Sequence, residues 1–331
     1  MKDALSSVRR LIRKGFVIAS VTTAICAAAA DYPLRPIRLL VPFPPGGSVD
    51  MVARILTPRL AESMGQHWVV DNRGGAAGNI AAAIVAKAAP DGYTALLALN
   101  TLVTVNPSLY RGLPFDVTRD FQAVTPLSAT QYMLVVHPAV TANSVKELIT
   151  LAKAKPGQLN YSSSGVGGPM HLAAELFKIR SGVDLVHVPY KGGAPAAAAV
   201  LGGEVQMLFG SVAMTMPHVR AGKLKALATT GPKRSPVAPE VPTLDESGLS
   251  GFNVTSWTGL IVPAKTEDAI VKRLHQEALA ALKLVDVQAA MARQGLQITT
   301  SKPAEFAAQI RAETKVWAEV IKAAGIRAEQ Y

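Results

Sequence analysis

The chain has 331 residues, is 49% hydrophobic and 17% charged, and carries a formal charge of +11. That length suffices for two domains or one large one, with a packed core. The lone Cys26 excludes a disulfide framework. Aromatics at 5% and no basic block beyond Lys233-Arg234 argue against a nucleic-acid face, so the positive charge reads as scattered solvated charge that steers anions.

The first 30 residues read as a secretory signal peptide. Lys2, Arg9, Arg10, Arg13 and Lys14 form its basic part, and an uncharged stretch follows over 15–30. That stretch is short of the ~20 residues that span a bilayer, and Ala28-Ala29-Ala30 fits an A-x-A cleavage site. Arg9-Arg10 is a weak twin-arginine signal, because Leu11-Ile12 follows. Ile25 stands before Cys26, where a lipoprotein signal wants a small residue. The mature chain is expected from about Asp31, without cysteine. Removal of five basic and one acidic side chain leaves a charge of 11 − 4 = +7.

Beyond the leader, strands and helices alternate. Periodicity predicts strands over 37–43, 68–71, 94–99, 133–137, 160–162, 185–189, 205–209, 225–229 and 257–262. Helices are expected over 50–64, 79–89, 145–154, 169–181, 194–201, 216–221, 268–283, 287–294 and 303–324. Ser144 and Glu147 read as a capping box, and Thr266 as a cap for the helix that follows it. Gly65, Gly182 and Gly325 stand where glycine ends a helix. Pro58 falls mid-helix, where a kink is expected. Phe306, Ile310, Trp317, Ile321 and Ala324 form one stripe on the last helix. The alternation implies an α/β protein with largely parallel sheets, in two domains.

Four loops share one theme: a strand end, glycines and small polar residues, then a helix start. They are Pro45-Gly46-Gly47-Ser48, Gly74–Asn79, Ser162–Gly168 and Tyr190–Gly193. Ligands of open α/β sheets bind beyond the carboxyl ends of strands, and helix starts attract anions. Together the four loops suggest a site for a small acid. Asp50 is expected to cap the first helix or its loop. His171, in the first turn after the Ser/Gly loop, is a candidate donor to a bound acid or the holder of a structural hydrogen bond.

Enzyme patterns are absent. No G-x-S-x-G, P-loop or complete G-x-G-x-x-G occurs, and the six histidines form no H-E-x-x-H. No cofactor and no metal are expected. The competing enzymatic reading is an exported α/β hydrolase using Ser164 and His171; it lacks a pattern for the orienting acid and oxyanion hole.

The segment Pro42-Phe43-Pro44-Pro45-Gly46-Gly47-Ser48-Val49-Asp50 resembles the first ligand loop of the Bug family, periplasmic solute receptors of tripartite tricarboxylate transporters. Gly75-Ala76-Ala77-Gly78-Asn79, Asn106-Pro107-Ser108-Leu109-Tyr110, His187-Val188-Pro189-Tyr190 and Val241-Pro242-Thr243 continue the likeness, in order along nearly the whole mature chain. The resemblance implies a two-domain periplasmic-binding-protein (Venus-flytrap) fold with two crossovers and a ligand cleft between domains. Domain 1 would join 31–130 to 255–331, and domain 2 would be 131–254.

Carried over by position, the ligand-binding residues would be Phe43, Pro45, Gly46, Gly47, Ser48, Asp50, Asn79, Ser163, Ser164, Gly165, His171 and Tyr190. The implied partners are a small organic acid and the membrane subunits of a tripartite tricarboxylate transporter. A monomer in the periplasm is implied, with no nucleic acid and with ligand sensing for a signalling partner as an alternative role. Val49, Val166, Gly167-Gly168-Pro169 and Gly210-Ser211 depart from the more polar family pattern. They point to a ligand larger or less polar than a simple dicarboxylate.

Overall fold

The computed structural model describes residues 32–190 and 192–326. The expected leader, its cleavage site and Cys26 lie outside the described residues. Among the described residues, no helix is long and apolar enough to cross a membrane.

The chain first builds a parallel layer from β1 (Ile37–Val41), β2 (Trp68–Asn72) and β3 (Thr94–Leu99), linked through α1 (Ser48–Met64) and α2 (Asn79–Ala86). Both faces of this layer are covered, so its strands are apolar on both sides. Leu39, Val41, Ala95 and Leu97 point into one core cluster with α1, and Leu40, Leu96 and Ala98 into another with α2. That is the period of two of a strand.

Three short helices follow: α3 (Asn100–Thr104), α4 (Asn106–Leu109) and α5 (Val117–Asp120). They lead into β4 (Phe121–Val136), the longest strand. Residues 121–131 of β4 pair antiparallel with β9 (Thr255–Pro263), whereas residues 132–136 pair with β7 (Met207–Ser211) and, from 133, with β8 (Lys225–Thr229). One strand thus serves two sheets. The hydrogen-bonded path runs β2-β1-β3-β9-β4-β7-β5-β6, with β5 (Asn160–Ser163) parallel to both β6 (Val186–Pro189) and β7.

The second sheet carries α6 (Val145–Ala154), α7 (Pro169–Ser181), α8 (Gly193–Leu201) and α9 (Val212–Arg220). After β9 come α10 (Asp268–Lys283), α11 (Val285–Arg293), β10 (Gln297–Ile298) and α12 (Pro303–Ala323). Phe306 and Ile310 of α12 fill the cluster beside Leu40 and Trp257, but Trp317, Val320 and Ile321 join the core of the second sheet. The last helix is therefore shared, although the expected division assigns it wholly to the first domain.

Several expectations need correction. The first half of β4 was not expected to be a strand: Pro126 and the polar Thr125, Ser128 and Gln131 break its apolar run. All three polar residues are buried, and the register shifts around Pro126, which relieves the proline. The three short helices before β4 are too brief to show periodicity. Thr266 does not cap α10; its hydroxyl donates to the Pro263 carbonyl, and Glu267 stands at the cap. The α1 helix runs through Pro58 without interruption. Ser144 Oγ accepts the Glu147 N–H at 3.2 Å as expected, but Glu147 reaches back to the Asn143 N–H. Gly65 and Gly182 end their helices in the left-handed region.

Candidate functional site

The four loops lie at the carboxyl ends of β1, β2, β5 and β6, and each opens a helix. Glycine stands at all four N-cap positions: Gly47 for α1, Gly78 for α2, Gly168 for α7 and Gly192 for α8. No side chain caps any of them. Elsewhere Asp116, Ser144 and Ser211 cap α5, α6 and α9. The first turn of a helix carries N–H groups with no partner inside it, together with the positive end of the dipole. The first intrahelical bond of α1 is Met51 N–H to the Gly47 carbonyl, and that of α7 is Leu172 N–H to Gly168. Ser48 and Val49 in α1, and Met170 and His171 in α7, thus lie in open first turns.

The first two loops are packed together. Asn72 Nδ2 donates to the Phe43 carbonyl at 3.0 Å and to Asp50 Oδ1 at 2.9 Å. Asp50 is almost fully buried, and its Oδ2 accepts from the Gly46 N–H and from Arg54 Nε. Burial alone works against its charge, but the bonds from Arg54, Gly46 and Asn72 outweigh it and hold the carboxyl below its ordinary range. Asp50 ties down its loop with both oxygens. Phe43 is half-buried, Pro45 and Ser48 are exposed, and Gly47 is extended at φ −78°.

Asn79 opens the second helix and is fully buried. Its Oδ1 accepts from Asn106 Nδ2 at 2.7 Å, and its own Nδ2 has no partner among the described residues. Ala76 and Ala77 in this loop hold positive φ values of 46° and 53°, an unusual backbone for alanine.

The third and fourth loops meet through the Tyr190 N–H, which donates to the Ser163 carbonyl at 2.9 Å. Ser163 is buried, its hydroxyl 2.6 Å from His187 Nε2 and within bonding distance of both backbone groups of Gly165. Ser164 is half-buried at the loop surface, and Tyr190 packs its ring on the second core. His171 points inward: Nδ1 accepts the Gly167 N–H at 3.0 Å, and Nε2 faces Glu175 at 4.0 Å. Burial, and then His187, push its pKa down to about 4. The structural-bond reading of His171 is the one this geometry favours. Ser164 makes no hydrogen bond to His171; the serine beside an imidazole is Ser163, with His187.

The two pairs of loops are joined by α4. Asn106 holds the second loop through Asn79 and the Ala77 carbonyl. Leu109, three residues on, lies against Gly167 of the third loop, where a Cβ would sit 2.6 Å from its methyl; Gly167 also has φ +75°. Sequence reasoning missed Asn72, Asn106, Glu175 and His187 as site residues. Asn106 and His187 stood in family-like segments, and that was their only signal. Of the departures from the family pattern, Val49 turns into the core, whereas Val166 is 55% exposed on its loop. At Gly210 a Cβ would meet Thr215 at 2.4 Å, so no side chain fits there without a shift.

Comparison with known proteins places these features in a family. Residues 52–326 match the family described as the tripartite tricarboxylate transporter family receptor. Protein BugT of Bordetella pertussis is 36% identical over 324 residues, covering 98% of this chain and 99% of BugT. A solved structure described as a periplasmic transporter is 39% identical with a TM-score of 0.74, covering 89% of this chain and 99% of that one. Rpa4515 of R. palustris, solved with adipate, is 35% identical with a TM-score of 0.75, at 89% and 99% coverage.

Proposed function

The chain belongs to the tripartite tricarboxylate transporter receptor family, and we propose that it traps a small carboxylate between two closing domains and hands it to membrane transporter subunits. It is a periplasmic solute receptor of that family, not an enzyme, and its ligand class is carboxylate. The observation that carries the proposal is the set of four glycine-capped helix starts left open by side chains.

In this reading 31–130 with 255–331 form one domain and 131–254 the other. Passage of β4 between two sheets at residues 131–132 supports that boundary. The acid meets backbone N–H groups of Gly47 and Ser48 from the first domain and of Ser164 and α7 from the second. The Ser48 and Ser164 hydroxyls and Tyr190 complete the polar shell, with Phe43 and Pro45 as its apolar edge. Asp50, Asn79 and His171 hold the loops rather than the ligand.

Energetically no arginine is needed. A charge-assisted hydrogen bond contributes about 1.5–3 kcal/mol. At the upper end of that range, four of them offset ~4 kcal/mol of lost ligand freedom and leave ~8 kcal/mol, a micromolar affinity. Ligand drives closure only by binding the closed form better than the open one.

Native mass spectrometry of the purified mature protein, before and after denaturation and refolding, tests the receptor reading. A co-purified organic acid lost on refolding is expected. A protein that carries no acid and binds none of a carboxylate panel afterwards would overturn it.

A further inference from the structure

A cavity of about 640 Å³ opens between α12 and the segment that runs from α4 to the start of β4. None of the four loops lines it. Its walls are Val103, Ile261 and Ile310, all buried, with Phe115 and Phe121, whose rings meet edge to face at 5.6 Å. Pro107 and Tyr110, from the Asn106–Tyr110 segment, close one side.

Charge is confined to the rim. Arg311 and Lys315 lie one turn apart on α12, both exposed, and neither forms an ion pair among the described residues. Like charges at this spacing repel, and an anion bound between them relieves that repulsion. The carboxylate on the opposite rim, Asp116, is committed to α5: its Oδ1 accepts the N–H groups of Thr118 and Arg119, both at 2.9 Å. Counting the three, the mouth is positive by one.

We propose that this cavity is a second binding site, for an amphipathic organic monoanion: a carboxylate head on Arg311 and Lys315, and an aliphatic or aromatic body among Phe115, Phe121 and Ile310. Its volume is that of a small-molecule site, and its lining is the usual mixture of apolar wall and few polar groups. A short dicarboxylate does not suit it, because the second charge would be buried against phenylalanine with no partner. The site is therefore selective against short dicarboxylates, and it stands whether or not the reading of the four loops holds.

Decanoate is the probe, titrated calorimetrically into the refolded mature chain, with decanol and succinate as controls. Two variants accompany it: the surface double variant Arg311→Glu/Lys315→Glu, and Ala307→Trp, which fills the cavity. The expected result is saturable 1:1 binding of decanoate, weakened more than tenfold by the charge reversal and abolished by the tryptophan. If Ala307→Trp does not fold, the charge reversal decides alone. Absence of decanoate binding at millimolar concentration would overturn the proposal. So would decanol binding as tightly as decanoate, binding indifferent to the charge reversal, or equal loss of decanoate binding in Gly47→Val, which would place it at the loops.

Discussion

His171 and His187 stack face to face with ring centroids 4.0 Å apart, one from α7 and the other from β6. Tyr161 extends the stack, 4.9 Å from His187, and its hydroxyl donates to Glu175 at 2.6 Å. Lys178 also bonds Glu175, at 2.9 Å. Two imidazoles this close, one buried and one half-buried, resist sharing two charges, and burial depresses both pKa values. Through Gly167 and Ser163 the pair fixes the backbone of the third loop.

The stack makes stability depend on pH. His171 has its pKa lowered to about 4 in the folded chain, against about 6.5 when unfolded. Between those values the unfolded chain binds the extra proton, so stability falls as pH drops from about 6.5 to about 4. Its share is about 3 kcal/mol over that window. Urea unfolding at steps across it should show the loss, and His171→Asn, which keeps an acceptor for Gly167 at the Nδ1 position, should flatten the slope. An unchanged slope would remove His171 from the account.

His187→Phe preserves a ring for stacking but removes one of the Ser163 hydroxyl's contacts, leaving those to the backbone of Gly165. A loss of about 0.5–1.5 kcal/mol is expected for one hydrogen bond, read from the urea midpoint. Ligand affinity should change little, because Ser163 still holds Gly165 in place.

Gly47→Val separates binding from folding. Gly47 is extended, and an added Cβ would meet only the Pro44 carbonyl, at 3.7 Å. Thermal stability should therefore be retained while carboxylate affinity drops more than tenfold, because the side chain blocks approach to the open start of α1. Full affinity in the variant would take the first loop out of the site.

Trp317→Ala tests the sharing of α12 between cores. Trp317 is 5% exposed in the core of the second sheet. Truncation of a buried tryptophan costs about 3–5 kcal/mol. The same substitution should destabilise only marginally if the end of α12 is a loose appendage.

Val166 presents an exposed apolar side chain on the third loop, which favours a larger or less polar acid over a simple dicarboxylate. Calorimetry with succinate and benzoate should rank the aromatic acid higher. Equal affinities would contradict this.

Much of the fold was legible because both layers obey simple periods. The bounds of β3, β8, α6, α7 and α10 match the expectation; Ser144 opens α6, and Gly168 and Gly182 bracket α7. The first half of β4 was hidden because its buried polar residues find partners only in the folded chain: Ser128 Oγ lies 2.6 Å from Thr258 Oγ1, a residue 130 positions away. The glycine loops were legible as a pattern. The residues that hold them were not: Asn106, Glu175 and His187 act through side-chain contacts that no spacing encodes. Asp50 and His171 turn inward to their own loops, the structural roles that the sequence offered for each.

The central claim is that the open helix starts of the first and third loops hold the ligand, and amide NMR reads it directly. The ¹⁵N-labelled mature chain, deuterated and refolded free of ligand, would be titrated with adipate or with the acid identified by mass spectrometry. The account predicts saturable shifts at the N–H groups of Ser48 and Val49 together with those of Ser164, Gly165 and Met170, from both sides of the cleft. Shifts confined to one loop pair, or clustered around Phe115 and Arg311 instead, would contradict it.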